Sequence, residues 1–189
     1  MKIDSLFDAA LKALREEDEA LRACFKTSDT TVAHGLTYWL FETTLVYFIF
    51  KAWLPKVNVL WEHTLEKDVT RRPSTAAGRL GAHEKCDLAI KEDETVVAAF
   101  EAKWWNNNSR KTRDSLVEDA NKLRRGFPPS VSKYLVTFWW GEKNWDKDIA
   151  QATAACEEEG FELVKHGKFE TKLLGERDGY FAMAFLKVD

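Results

Sequence analysis

The stretch Lys85–Trp104, KCDLAIKEDETVVAAFEAKW, decides how this chain folds. Two apolar runs, 85–90 and 95–104, flank the polar turn Lys91-Glu92-Asp93-Glu94. Such a pattern predicts an antiparallel hairpin. The segment Val96-Val97-Ala98-Ala99-Phe100 is apolar at every position, as expected of a central strand covered on both faces. Glu101 and Lys103 interrupt it, and two apart on a strand they project from the same face. If the hairpin turns around Asp93–Glu94, Asp87 lies opposite a residue between Ala99 and Glu101, and two carboxylates converge within cross-strand reach. Buried like charges at that range repel and raise a pKa unless a cation sits between them. Two carboxylates, waters and a phosphate oxygen are the ligands Mg²⁺ prefers. The plain alternatives are that Glu101 and Lys103 pair with each other, or that Glu42, Asp87, Glu101 and Lys103 form a buried structural ion network.

Working outward, a first helix is predicted over 4–25, capped by Asp4 or Ser5, with Leu6, Phe7, Ala10, Leu11 and Leu14 on one face. A second should run from about Val32 to Trp53 and stop before Pro55. On its helical wheel Thr37, Thr44 and Lys51 form a polar stripe, and Glu42 falls opposite, among Tyr38, Trp39, Leu45, Val46 and Ile49. A core-facing carboxylate needs compensation, so Glu42 joins the candidate site. Val57–Leu65 reads as a strand, and 66–84 as a polar loop. After the hairpin come a loop at Asn106–Asn108, a helix from about Arg113 to Arg125, a strand Lys133–Trp140, a helix Asp146–Glu159, and strands Phe161–Val164 and Tyr180–Val188. The whole reads as one α/β domain over 1–189, a mixed sheet flanked by helices. Its core spans about 32–140, and 146–188 form a C-terminal elaboration.

A chain of 189 residues supports one hydrophobic core. Net charge is −3, yet from Lys103 to Lys133 eight Lys or Arg stand against three acids. That local excess points to an anionic partner. Cys24, Cys86 and Cys156 form no CxxC pair, which argues against a zinc knot, an iron–sulfur cluster or a disulfide scaffold and fits a reducing, cytoplasmic setting. The N-terminus lacks the apolar core of a signal peptide. Leu36–Leu54 is hydrophobic, but Glu42 and Lys51 interrupt it, so no membrane span is expected. Gly78-Arg79-Leu80-Gly81 is too short for a phosphate-cradling loop.

Asp87, then thirteen residues, then Glu101-Ala102-Lys103, in a strand–turn–strand after a helix bearing Glu42, resembles the PD-(D/E)xK nuclease superfamily with its restriction-endonuclease-like fold. The following helix and strand continue that family's strand–strand–strand–helix–strand order, so the resemblance covers about Val32 to Trp140. Cys86 stands where the family name has proline, and ExK alone is a common tripeptide. The resemblance implies a Mg²⁺-dependent endonuclease, Mn²⁺ substituting, that hydrolyses DNA phosphodiester bonds; RNA is the alternative substrate. In the family's terms Asp87 and Glu101 hold metal and Glu42 assists, while Lys103 orients or activates water and stabilises charge. A homodimer would let such an enzyme cut both strands of a duplex.

Substrate-binding candidates are Arg79 in the long loop, Arg110, Lys111 and Arg113 before and within the following helix, and Lys122, with Arg124 and Arg125 further along it. Asp119 and Lys122, three apart on that helix, read more simply as a surface ion pair. Trp104-Trp105 and Trp139-Trp140 end strands on the candidate-site side, where base stacking competes with core packing. Beside the nuclease stands a second function, a non-catalytic nucleic-acid-binding or protein-interaction module that keeps the fold.

Overall fold

The computed structural model describes residues 2–27, 41–65, 85–105, 110–142, 145–172 and 177–189. In chain order it forms α1 (Ile3–Thr27), α2 (Glu42–Trp53), β1 (Asn58–Thr64), β2 (Lys85–Glu92), β3 (Thr95–Trp104), α3 (Arg110–Gly126), β4 (Ser132–Gly141), α4 (Trp145–Glu158), β5 (Glu162–Lys172) and β6 (Asp178–Val188). The fold is α/β, a six-stranded mixed sheet in the order β1-β2-β3-β4-β6-β5 flanked by these four helices. Neighbouring strands are antiparallel except β3 and β4. A parallel pair cannot be closed by a tight turn, and α3 supplies the crossover.

The alternation of side chains along each strand divides the core. One face of the sheet, with Leu88, Ile90, Phe100, Val136, Phe181 and Phe185, packs under α1 and α2. The other, with Ala89, Ala99, Leu135, Ala182, Ala184 and Leu186, packs under α3 and α4. Trp53 ties the first layer together: fully buried, it donates its indole N–H to the Leu6 carbonyl at 2.9 Å, so α2 is pinned to α1. Leu6, Phe7, Ala10 and Leu14 are buried as their spacing predicts.

Three boundaries differ from expectation. The helix expected over Val32–Trp53 begins at Glu42, because Phe41 is extended (φ −80, ψ 158) and caps it; positions 32–40 lie outside the described residues. Glu42 therefore sits in the first turn of a helix, at its positive end. The strand expected over Phe161–Val164 runs on to Lys172 as β5, paired with β6 along its length. Its alternating His166, Lys168, Glu170 and Lys172 are what a one-sided edge strand carries, and they mask the strand signal. The helix expected to start at Arg113 starts at Arg110. No described helix is long and apolar enough to cross a membrane.

Candidate active site

The hairpin closes through Asp93 and Glu94, with Glu92 paired to Thr95 and Lys91 to Val96. Continued without interruption, that register would set Asp87 opposite Phe100, on the wrong face. A bulge intervenes: Ile90 pairs with Ala98, Ala89 with Ala99 and Leu88 with Phe100, leaving Val97 as the extra residue. Extended one step past the last paired residues, that register aligns Asp87 with Glu101. One inserted residue thus turns the two carboxylates towards the same side of the sheet. On its other flank Asp87 faces Glu62 of β1, which lies between the pairs Trp61–Leu88 and His63–Cys86 and adopts φ 48. That left-handed geometry is unfavourable for a glutamate.

Beyond Leu88 the β2–β3 ladder gives way to side-chain bonding. Asp87 Oδ2 accepts the Ala102 backbone N–H at 2.7 Å, and Glu42 Oε2 accepts that of Trp104 at 3.0 Å. Two carboxylates from different elements thereby cap successive outward amides of β3. On the α3 side of the sheet, Glu101 Oε1 lies 2.5 Å from Lys122 Nζ, and Lys103 Nζ lies 3.2 Å from Asp119 Oδ2. Because Glu101 meets Lys122 and Lys103 meets Asp119, α3 runs antiparallel to β3. The N-terminal turn of α3 accordingly lies past the C-terminal end of β3.

The electrostatics follow from burial. Glu101 is 3 % exposed; burial first, then the Asp87 carboxylate, pushes its pKa up to about 9, against the pull of Lys122. Burial also raises Asp87, with the Ala102 amide and Lys122 opposing. Glu42 is raised by burial, with Lys103 and the Trp104 amide opposing. For Lys103 and Lys122 burial acts downward, but the surrounding carboxylates outweigh it and both are raised. Cys86, beside Asp87, is pushed far up by burial and by Glu101 and Asp87, so it is an inert thiol. With every group ionised, Glu42, Asp87, Glu101 and Asp119 against Lys103 and Lys122 leave a formal charge of −2.

Of the residues expected at the site, Glu42, Asp87, Glu101, Lys103 and Lys122 are thus brought into one cluster. Asp119 and Lys122 do not form the surface pair expected of them; both turn inward, each onto β3. Asp119 is the member that sequence spacing undervalued, since i,i+3 opposite charges fit a surface pair equally well. Arg113 turns away: its guanidinium Nη1 lies 2.9 Å from Glu158 of α4. Arg124 donates to the Asp189 carbonyl at the far end of α3. Arg110 stands exposed on the first turn. Arg79 and the side chain of Lys111 lie outside the described residues. Among the tryptophans, Trp139 stacks on Trp145 with centroids 5.9 Å apart, Trp104 packs against Phe138 and Phe181, and Trp105 is buried. Trp140 alone of the two pairs is largely exposed.

The donor chemistry suits a hard divalent cation: oxygen ligands, and a charge deficit of two. The spacing does not yet close around one, since among the described residues no three His, Cys, Asp or Glu side chains stand close enough to hold a metal ion. Set against protein-family models, curated proteins and solved structures, the chain matches none. The site's own chemistry is what bears on function.

Proposed function

We propose that this protein is a divalent-cation-dependent nuclease that hydrolyses phosphodiester bonds in DNA, on the plan of the PD-(D/E)xK superfamily. The observation that carries this reading is the convergence of Asp87 and Glu101 at the end of the bulged hairpin, with Asp87 on the Ala102 amide next to Glu101 and Lys103 two residues on along the same strand. The element order gives further support, a helix, three antiparallel strands, a helix and a parallel fourth strand. Asp87 and Glu101, with Glu42 assisting, are the residues to hold Mg²⁺ or Mn²⁺, which supplies Lewis-acid charge that eases deprotonation of water and relieves charge on phosphate. In hydrolysis the water oxygen bonds to phosphorus, the bond to the leaving sugar oxygen breaks, and that oxygen takes up a proton. Lys103 contributes a fixed positive charge to the phosphate as negative charge accumulates there. Arg110 and Lys111 start the helix turn beyond the strand end and are candidates for flanking phosphates.

The test is cleavage of plasmid, linear and single-stranded DNA by the purified chain with Mg²⁺ or Mn²⁺, alongside calorimetric titration with Mn²⁺. Cleavage lost in Glu101→Ala and Lys103→Ala, with Mn²⁺ binding lost in Asp87→Ala, supports the reading. No cleavage of any DNA or RNA, together with no Asp87-dependent Mn²⁺ binding, sinks it. A second reading, a non-catalytic binding module, draws on the engagement of both lysines by carboxylates. It predicts nucleic-acid binding that is indifferent to Mn²⁺.

A further inference from the structure

The two lysines of the cluster are not equivalent. Lys103, on the strand, is drawn towards Asp119, whereas Lys122, on the helix, reaches into the carboxylate pair and lies 2.5 Å from Glu101 Oε1. Glu101 is the most buried charged member, and Asp87 bonds the backbone amide of its neighbour Ala102. We propose that Lys122 is a resident counter-cation, its ammonium taking the position on Glu101 that a divalent cation would occupy and yielding it when that cation binds. This rests on the nuclease reading of the same site.

Three features bear on it. A carboxylate oxygen in ion-pair contact with an ammonium cannot also be a close ligand of a dication without setting two positive charges side by side. The cluster's formal charge of −2 counts Lys122 among its cations, so a dication entering with Lys122 in place neutralises it overall while crowding Glu101. Displacement solves the crowding. Lys122 is also able to leave: it has a four-carbon stem, and its side chain is 21 % exposed, against 5 % for Glu101. Once displaced, the ammonium is in place for a substrate phosphate, and a lysine that guards the empty site becomes one that greets the loaded one.

Cation and ammonium then compete for Glu101, and removal of Lys122 must tighten cation binding. Calorimetric titration of the full chain with Mn²⁺ tests this for wild type, Lys122→Met and Lys122→Arg. The expected result is about tenfold tighter Mn²⁺ binding in Lys122→Met, a coupling of ordinary size between two sites, and affinity at or below wild type in Lys122→Arg. A duplex oligonucleotide titrated in Ca²⁺ should bind Lys122→Met more weakly than wild type. Mn²⁺ binding in Lys122→Met alone, absent from wild type, is the same exchange in its extreme form. Equal or weaker Mn²⁺ binding by Lys122→Met, with wild type binding, overturns the exchange and leaves the nuclease reading standing. If no form binds Mn²⁺, the exchange falls, and the nuclease reading falls with it when the cleavage assay is also blank. Should Lys122→Met fail to fold, Lys122→Gln takes its place under the same criteria.

Discussion

Glu101 concentrates the chemistry of the site in one side chain, and its environment makes opposite demands on it. Burial and the Asp87 carboxylate favour the protonated acid, with a pKa pushed up to about 9, while Lys122 favours the anion. The folded state thus holds this proton more tightly than the unfolded chain does. Between the ordinary glutamate pKa and about 9 the native state binds more protons at this position, so stability falls as pH rises through that window. Glu101→Gln removes the titration. In cation-free buffer, urea melts of the variant from pH 5 to 8.5 should show a flatter pH dependence than wild type, and at pH 8 no loss of stability. A loss of about 3–5 kcal/mol at pH 8 would instead mark a structural ion network. Lys103→Ala tests the chemistry separately: cleavage should slow by on the order of 10²–10³, the usual cost of one charge-stabilising donor, with an unchanged circular dichroism spectrum. An undiminished rate would remove Lys103 from the mechanism.

At the scale of elements, the site depends on how two helices are seated against the sheet. α3 meets β3 through its charged residues, and α1 is fastened at a distance from the site. Fully buried Asp18 on α1 accepts the Thr171 hydroxyl of β5 at 2.6 Å and lies 3.0 Å from Arg22 Nε. Thr171→Val removes the hydroxyl that donates to this buried carboxylate and should cost about 1–3 kcal/mol of stability in urea denaturation. Cleavage per folded molecule should be unaffected, since neither residue touches the carboxylate cluster. The same helix closes on β5 at Gly167, where an added methyl would come within 2.6 Å of Leu11 Cδ2 and 3.2 Å of Phe7 Cε1. Gly167→Ala should therefore destabilise by about 1–3 kcal/mol through overpacking. A variant as stable as wild type would mean that the half-buried Leu11 side chain swings aside.

For the molecule as a whole, a cation that binds the folded chain and not the unfolded one stabilises it by mass action. At a hundred times its dissociation constant Mn²⁺ should add about 2.7 kcal/mol, visible as a higher Tm that EDTA reverses. Asp87→Ala should abolish the increment. A Tm indifferent to Mn²⁺ and Mg²⁺ would place the charge cluster outside metal chemistry.

The order of elements and the strand-borne members of the charge cluster were legible in the sequence for reasons of periodicity. Glu101 and Lys103 interrupt an apolar run, and two-residue spacing on a strand assigns them one face whatever the surroundings. The hairpin turn within Lys91–Glu94 was equally plain, although Lys91 and Glu92 belong to the strand and the turn itself is Asp93–Glu94. Less plain was β5, whose polar edge hides its extent, and the start of α2, which moved Glu42 from mid-helix to the helix end. Tertiary structure alone decided two matters. The bulge at Val97 sets Asp87 against Glu101 rather than Phe100, and no alternation pattern reveals one extra residue whose neighbours are all apolar. The seating of α3 on β3 decides that Asp119 and Lys122 face inward, because charges three apart satisfy each other on a surface as readily as they satisfy partners on a strand. Local chemistry thus determined which residues carry charge into the core; packing between distant elements decided which charge meets which.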